Sequence, residues 1–351
     1  MDFSFTDEQN MIAQTAKDFF TENATSARTR KAMAADGIDR ELWQAYCQEL
    51  GLGGINIAEE NGGAGLGLVE LAIIAEAAGA QVAALPLLGL TMTARGIEHG
   101  GSAAQKETWL EKLAGGETIG AAAFGGSLEV SGNILTGSVK FVAHGASADV
   151  FLVANDTGAW LVEAGATGLT VAGKTTMDQT RPLANLTLDG VLGAALENPS
   201  AAIEAATSGG IVCLAAEALG GAQECLDRTV AYSQERIQFG RQIGSFQAYK
   251  HRLADMMVAI EQSRSAAYWA ACAVDEQTDD MQLGLHSAKS FCADTYFKCA
   301  GDMIQLHGGI GFTWEHDAHL FFKRAKAIQE MNLNGVWHRE QIAKMILGEA
   351  A

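Results

Sequence analysis

The amino-acid sequence predicts an α+β chain in three parts: an N-terminal helical domain over residues 1–117, a small middle β-barrel or sandwich over 118–195, and a C-terminal four-helix bundle over 196–351. Three observations predict it. Apolar residues recur at the helical period in both outer parts, and between Thr118 and Asp189 that period shortens to two. The 351 residues, 48% apolar and 19% charged, suffice for two or three units with buried cores.

The elements follow in order. Thr6-Asp7-Glu8-Gln9 reads as a capping box that starts a helix with Ile12, Ala16, Phe19 and Phe20 on one face. A helix around Arg40 to Leu50 carries Leu42, Trp43, Tyr46 and Leu50 at helical spacing. After a glycine turn at 62–67, Leu68 to Ala84 is apolar nearly all round, as in a helix buried among others. Trp109, Leu110 and Leu113 mark another helix, ended by Gly115-Gly116. Phe141-Val142, Val150 to Val153, Trp160 to Val162 and Leu186 to Leu188 are short runs bounded by Gly, Asn or Asp, and read as strands. From Ala201 the helical period returns in four blocks, at 201–234, 246–276, 281–304 and 318–347.

The net charge of −18 argues against a nucleic-acid partner, because counterion release needs clustered Lys and Arg. Any anionic cofactor must then be met by local positive charge. Cysteines at 47, 213, 225, 272, 292 and 299 lie in apolar helical patterns without C-x-x-C pairing, which fits buried, reduced thiols and a cytoplasmic location. The acidic start Met1 to Glu8 resembles neither a signal nor a transit peptide. The uncharged run from Ala77 to Ala94 is interrupted by Pro86, Gln81 and glycines, so no membrane span is expected there. Glu315-His316-Asp317-Ala318-His319 has metal-ligating residue types but lacks the helical H-E-x-x-H context, so no metal site is expected.

The most informative stretch is Arg236 to Gln247. Arg236 and Arg241 offer planar donor forks that fit a phosphate, Phe239 a flat face for a ring, Gly240 a close backbone approach, and Gln247 an amide for a polar edge. The competing reading is a helix-loop-helix corner with solvated arginines and Phe239 and Phe246 in the core. A second stretch, Gln305 to Thr313, sets Gly308, Gly309 and Gly311 just after a helical pattern ends, where backbone amides can approach an anion.

Together these stretches resemble the acyl-CoA dehydrogenase family of flavoproteins, in which R-x-x-F-G…F-Q and Q-x-x-G-G-x-G-(F/Y) segments hold the pyrophosphate and adenosine of FAD across a subunit interface. Leu50-Gly51-Leu52 through Gly65 is similar to that family's L-G…P-E-x-x-G-G-x-G signature, with Ala58 in the proline's place. The resemblance covers nearly the whole chain and implies FAD bound through Arg236, Phe239, Gln247, Gln305, Gly308 and Gly309. It also implies an acyl-CoA substrate, an electron-transfer flavoprotein as acceptor, and an oligomer.

The implied reaction needs a carboxylate base in a dry site. The family's usual place for it falls at Asn332, after Lys323-Arg324-Ala325-Lys326, and its minority place at Gly210. An amide and a glycine cannot take a proton. Glu330 and Glu204 are the nearest substitutes, at offsets unsuited to the role. The family's T-E-P-x-x-G-S-D and K-x-W-I-T segments, which hold and flank the flavin ring, are here Ala121 to Gly126 and Lys140-Phe141-Val142-Ala143-His144. Three readings follow: a self-sufficient dehydrogenase, a base-lacking subunit of a heterotetramer whose paralogous partner supplies base and flavin pocket, and a non-catalytic structural module.

Overall fold

The structure is a computed structural model and describes residues 4–348. Helix α1 (Asp7–Asn23) begins with the expected reciprocal bonds between Thr6 and Gln9, and turns Ala16 and Phe20 inward. Then come α2 (Ser26–Met33) and α3 (Arg40–Gln44), which runs on into a π turn, Ala45–Glu49. That wider turn advances the helical phase. Leu42, Trp43 and Tyr46 are buried as their spacing requires, whereas Leu50 emerges at the surface. Helices α4 (Leu68–Ala80), α5 (Leu87–Gly100) and α6 (Ala103–Ala114) complete the first part.

Eight short strands follow: β1 (Gly120–Phe124), β2 (Ser127–Ser131), β3 (Ile134–Ala143), β4 (Val150–Asn155), β5 (Gly158–Glu163), β6 (Leu169–Lys174), β7 (Leu183–Leu192) and β8 (Ala194–Ala195). They form two four-stranded sheets, ordered β1-β4-β5-β8 and β2-β3-β7-β6. Only β1 and β4 pair in parallel; the other pairs are antiparallel. Alternate residues of both sheets share one core. Ala121, Ala123, Phe151 and Val153 come from the first, and Leu135, Val139, Leu186 and Leu188 from the second. The arrangement is therefore a sandwich.

The last part holds α7 (Pro199–Glu235), a ribbon of β9 (Ile237–Gln238) and β10 (Arg241–Gln242), α8 (Gln247–Asp275), α9 (Met281–His307), α10 (Ala318–Glu330) and α11 (Gly335–Leu347). The fourth helical block is thus two helices. They are separated by Met331 to Asn334, where Asn332 (φ 48°) and Leu333 (φ 68°) are left-handed. By length and composition α7 could cross a membrane, but 83% of its most apolar stretch is buried within the protein, as in a core helix.

Contacts divide the chain into two compact units, one of Ala27–Leu71 and Ala84–Gly210, the other of Met1–Ser26, Ala72–Ala83 and Ile211–Ala351. The first contains the sandwich, with α5 laid so close on β1 that a Cβ at Gly89 would stand 2.3 Å from the Gly120 carbonyl oxygen. In the second, α4 and α7 meet backbone to backbone. A Cβ at Gly79 would lie 2.1 Å from the Glu217 carbonyl oxygen, and one at Gly220 would lie 1.8 Å from that of Glu76. The buried pair Arg324–Glu217 ties α10 to α7 beside this crossing. Glu76 in turn accepts from Arg264 and from the Tyr268 hydroxyl at 2.7 Å, both on α8.

Candidate functional site

Helices α7 and α8 are joined by the β9–β10 ribbon, whose two-residue loop is Phe239-Gly240. Both residues have positive φ (54° and 78°), the backbone of a tight hairpin turn. Glycine adopts it freely, but a bulky aromatic does so at a cost. The turn thrusts Phe239 into solvent at 91% exposure, so the reading that placed this ring in a core is wrong. Arg236 stands at the ribbon's base, and among the described residues nothing pairs with its guanidinium. Arg241 behaves differently, lying 3.9 Å over the Phe246 ring.

Gln247 opens α8, its side-chain oxygen 3.0 Å from Nε2 of His251. Gln305 lies in the last turn of α9 and is exposed. The helix then ends at Gly308, whose φ of 63° and ψ of −140° suit glycine alone. A Cβ on Gly308 or Gly309 would meet nothing within 4 Å, so the turn's outer surface is open to a ligand.

Two contacts bring these segments together at one end of the helices. The Tyr249 hydroxyl, in the first turn of α8, donates to the Leu306 carbonyl at 3.2 Å. Tyr232, one turn before Arg236 on α7, stacks on His307 with ring centroids 4.5 Å apart. Arg236, Phe239, Gln247, Gln305, Gly308 and Gly309 are therefore carried on segments that Tyr232, Tyr249 and His307 tether. Sequence reasoning missed these three anchors. Their signal was position: Tyr232 is four residues before Arg236, Tyr249 two after Gln247, and His307 immediately before the glycines. Burial raises the Tyr249 phenol to about 12, with a smaller contribution from Tyr232, so it remains a donor at neutral pH.

Free guanidinium, exposed ring and glycine surface fit the phosphate, flat base and close approach of a dinucleotide such as FAD. All three face outward on this chain. Phe312 (86% exposed), Trp314, Ile310 and Ile237 extend the same stretches as exposed apolar side chains.

The positions considered for a base hold no buried carboxylate. Asn332 is left-handed, and its carbonyl accepts from Nε2 of His338 at 2.8 Å. Glu330 pairs with Lys326 at 2.6 Å, both half out in solvent. Gly210 is buried and Glu204 exposed. In the sandwich, Gly125 and Gly126 (φ 75° and 81°) turn β1 into β2, and a Cβ at Gly126 would collide with the Ser138 carbonyl oxygen at 2.2 Å. Along β3 the pairing with β7 slips between Val139 and Val142, so Phe141 (φ 63°) swings outward while Val142 enters the core. His144 is buried with φ 52°, its amide bonded to the Pro182 carbonyl.

The Glu315–His319 cluster is committed elsewhere. Asp317 accepts from Ser26 and Arg228, His316 Nδ1 accepts from the Ala318 amide, and His319 packs on Trp314. No group of three metal-ligating side chains occurs among the described residues.

Residues 6–117 match the family model described as acyl-CoA dehydrogenase, N-terminal domain, and residues 201–347 match that of the C-terminal domain. The acyl-CoA dehydrogenase IpdE2 of Mycobacterium tuberculosis is 36% identical over 91% of this chain and 91% of its own. Its counterpart from Mycolicibacterium smegmatis is 33% identical over 91% and 92%. Among solved structures, the Tcur3481-Tcur3483 steroid ACAD G363A variant superposes with a TM-score of 0.88 at 30% identity, covering 98% of each chain. The ChsE4-ChsE5 complex from Mycobacterium tuberculosis superposes at 0.92 and 25% identity, covering all of both chains.

Proposed function

Since the chain belongs to the acyl-CoA dehydrogenase family, oxidoreductases that act on CH–CH bonds, we propose that it works as the base-lacking subunit of a mixed assembly with a paralogous partner. In this reading it contributes Arg236, Phe239, Gln247, Gln305, Gly308 and Gly309 to an FAD site that a second chain completes. The partner supplies the carboxylate and the flavin-ring pocket.

The observation that carries the reading is the outward-facing half-site. An unpaired arginine, a strained and solvent-exposed phenylalanine and an open glycine turn are tethered together, while positions 332 and 210 hold an amide and a glycine. Relatives described as a steroid ACAD and as the ChsE4-ChsE5 complex support the mixed assembly and an acyl-CoA with a large side chain of steroid type as substrate. Electrons then leave through a soluble electron-transfer flavoprotein. All six cysteines are free thiols, in keeping with a reducing compartment, and we place the protein in the cytoplasm.

The division of labour follows from chemistry. Bound flavin supplies the hydride acceptor. Arg236 neutralises phosphate charge, which a chain of net charge −18 must do locally. The glycine turn admits the phosphates, and Phe239 shields a flat base from water.

Co-expression tests this. Alone, the chain is expected to purify colourless or with substoichiometric flavin; with its paralogue it forms a yellow complex bleached by acyl-CoA. Chain purified alone with full flavin and bleached by substrate would overturn the mixed assembly in favour of the self-sufficient enzyme.

A further inference from the structure

The glycine turn has an electrostatic problem. It lies at the C-terminus of α9, where a helix presents unsatisfied carbonyls and the negative end of its dipole. That end repels a phosphate, and the acidic chain adds to the repulsion.

The residue at that helix end is His307, and its surroundings determine which nitrogen carries a proton. Nδ1 is 2.8 Å from the Met303 carbonyl, an acceptor only, so Nδ1 bears the hydrogen. In the neutral ring Nε2 holds the lone pair, and among the described residues nothing bonds it. The ring is buried between Tyr232 of α7 and His316, with both centroids at 4.5 Å. The charged and titratable groups facing it are Arg228 of α7, paired with Glu224 and Asp317, and His316; α8 contributes Tyr249 through the neighbouring Leu306 carbonyl.

We propose that His307 is a proton-linked positioning residue of the dinucleotide site. Its Nε2 takes up one proton from water as an anionic diphosphate settles against the Gly308–Gly309 turn, and the imidazolium offsets the helix dipole there. The proposal rests on the reading of these segments as the FAD grip. Without ligand, burial lowers the His307 pKa below the usual imidazole value, opposed by the bond to the Met303 carbonyl and aided by His316 and Arg228. A diphosphate reverses that balance, so binding and protonation favour each other.

The test is the pH dependence of FAD affinity in the co-expressed complex, or in the chain alone if it binds FAD, followed by flavin fluorescence. NMR of histidine-labelled protein gives the titration of His307 with and without FAD. Wild type is expected to bind about 3- to 10-fold more tightly at pH 6 than at pH 8, with the His307 titration moving to higher pH on binding. His307→Asn keeps a donor for the Met303 carbonyl but cannot take the proton, so that ratio falls to about 1. His251→Asn, which alters the imidazole beside Gln247, keeps the ratio. FAD affinity with no pH dependence, or an unchanged dependence in His307→Asn, overturns the proposal while leaving the grip standing. Failure of both preparations, the co-expressed complex included, to bind FAD at any pH overturns the grip and the proposal together.

Discussion

Arg236 owes its value to having no partner. An exposed arginine that pairs with nothing contributes little to stability, so Arg236→Ala is expected to leave the melting temperature unchanged and to weaken FAD binding by about 10- to 100-fold, measured by flavin fluorescence. Equal losses of stability and affinity would assign it a structural role instead. The sequence singled out the proposed grip residues because charge, aromaticity and absence of a side chain are properties of single residues. It did not disclose Tyr232, Tyr249 or His307 as anchors, because a stacked ring and a tyrosine that caps a carbonyl read as ordinary helical residues until the helices are placed together. The aromatic Phe239 was legible as a flat face but not as a surface one, since its left-handed turn is a property of the ribbon.

Between α10 and α11 the chain turns a corner held by several side chains. Buried Lys289 of α9 donates to the carbonyls of Ile328 at 3.0 Å, Leu333 at 3.2 Å and Gln329 at 3.5 Å. His338 donates through Nε2 to the Asn332 carbonyl, so its Nδ1 must accept the proton of His286 Nδ1 at 2.8 Å. Burial lowers Lys289 from 10.5 to about 8, opposed by Asp294 and Glu330. The sign follows from linkage. Between pH 8 and 10.5 the unfolded chain holds the proton that the folded chain has released, so folding stability rises with pH across this window and carries a constant cost below it. That cost is on the order of 3 kcal/mol. Urea titrations at pH 7.5 and 9.5 are expected to show wild type gaining stability relative to Lys289→Met, and a constant difference would discard this account. The helical period alone showed one block from 318 to 347, because neither glycine nor proline lies within Met331-Asn332-Leu333-Asn334, and its weaker signals, a left-handed Asn332 and an Asn334 that caps α11 through the Trp337 amide, do not interrupt the apolar period.

At the scale of the whole chain, the exposed apolar side chains concentrate on the glycine-turn segment and on α11. Ile310, Phe312 and Trp314 lie on the former, and Val336, Met345, Ile346 and Leu347 on the latter, where His338 is the one fully buried residue among those described. Helices so placed need a partner to remove that surface from water. Ile310→Ser with Phe312→Ser is expected to dissociate the assembly in size-exclusion chromatography while leaving the far-ultraviolet circular dichroism unchanged; an intact oligomer would place the interface elsewhere. Helices, strands and their order were legible because periodicity is local. That the β-unit is a sandwich was not, because it depends on which faces of β1 and β4 meet those of β3 and β7.

The crossing of α4 and α7 at Gly79 and Gly220 has a further implication. Where two backbones already touch, no intermediate residue size exists through which the helices could drift apart gradually, since even alanine overfills the gap. The pair has a single depth of engagement, like a key cut to one notch, and Glu217 is held on it opposite Arg324. Diversification of this scaffold toward new substrates must therefore enter through loops and the outer helix faces, while this joint keeps its spacing.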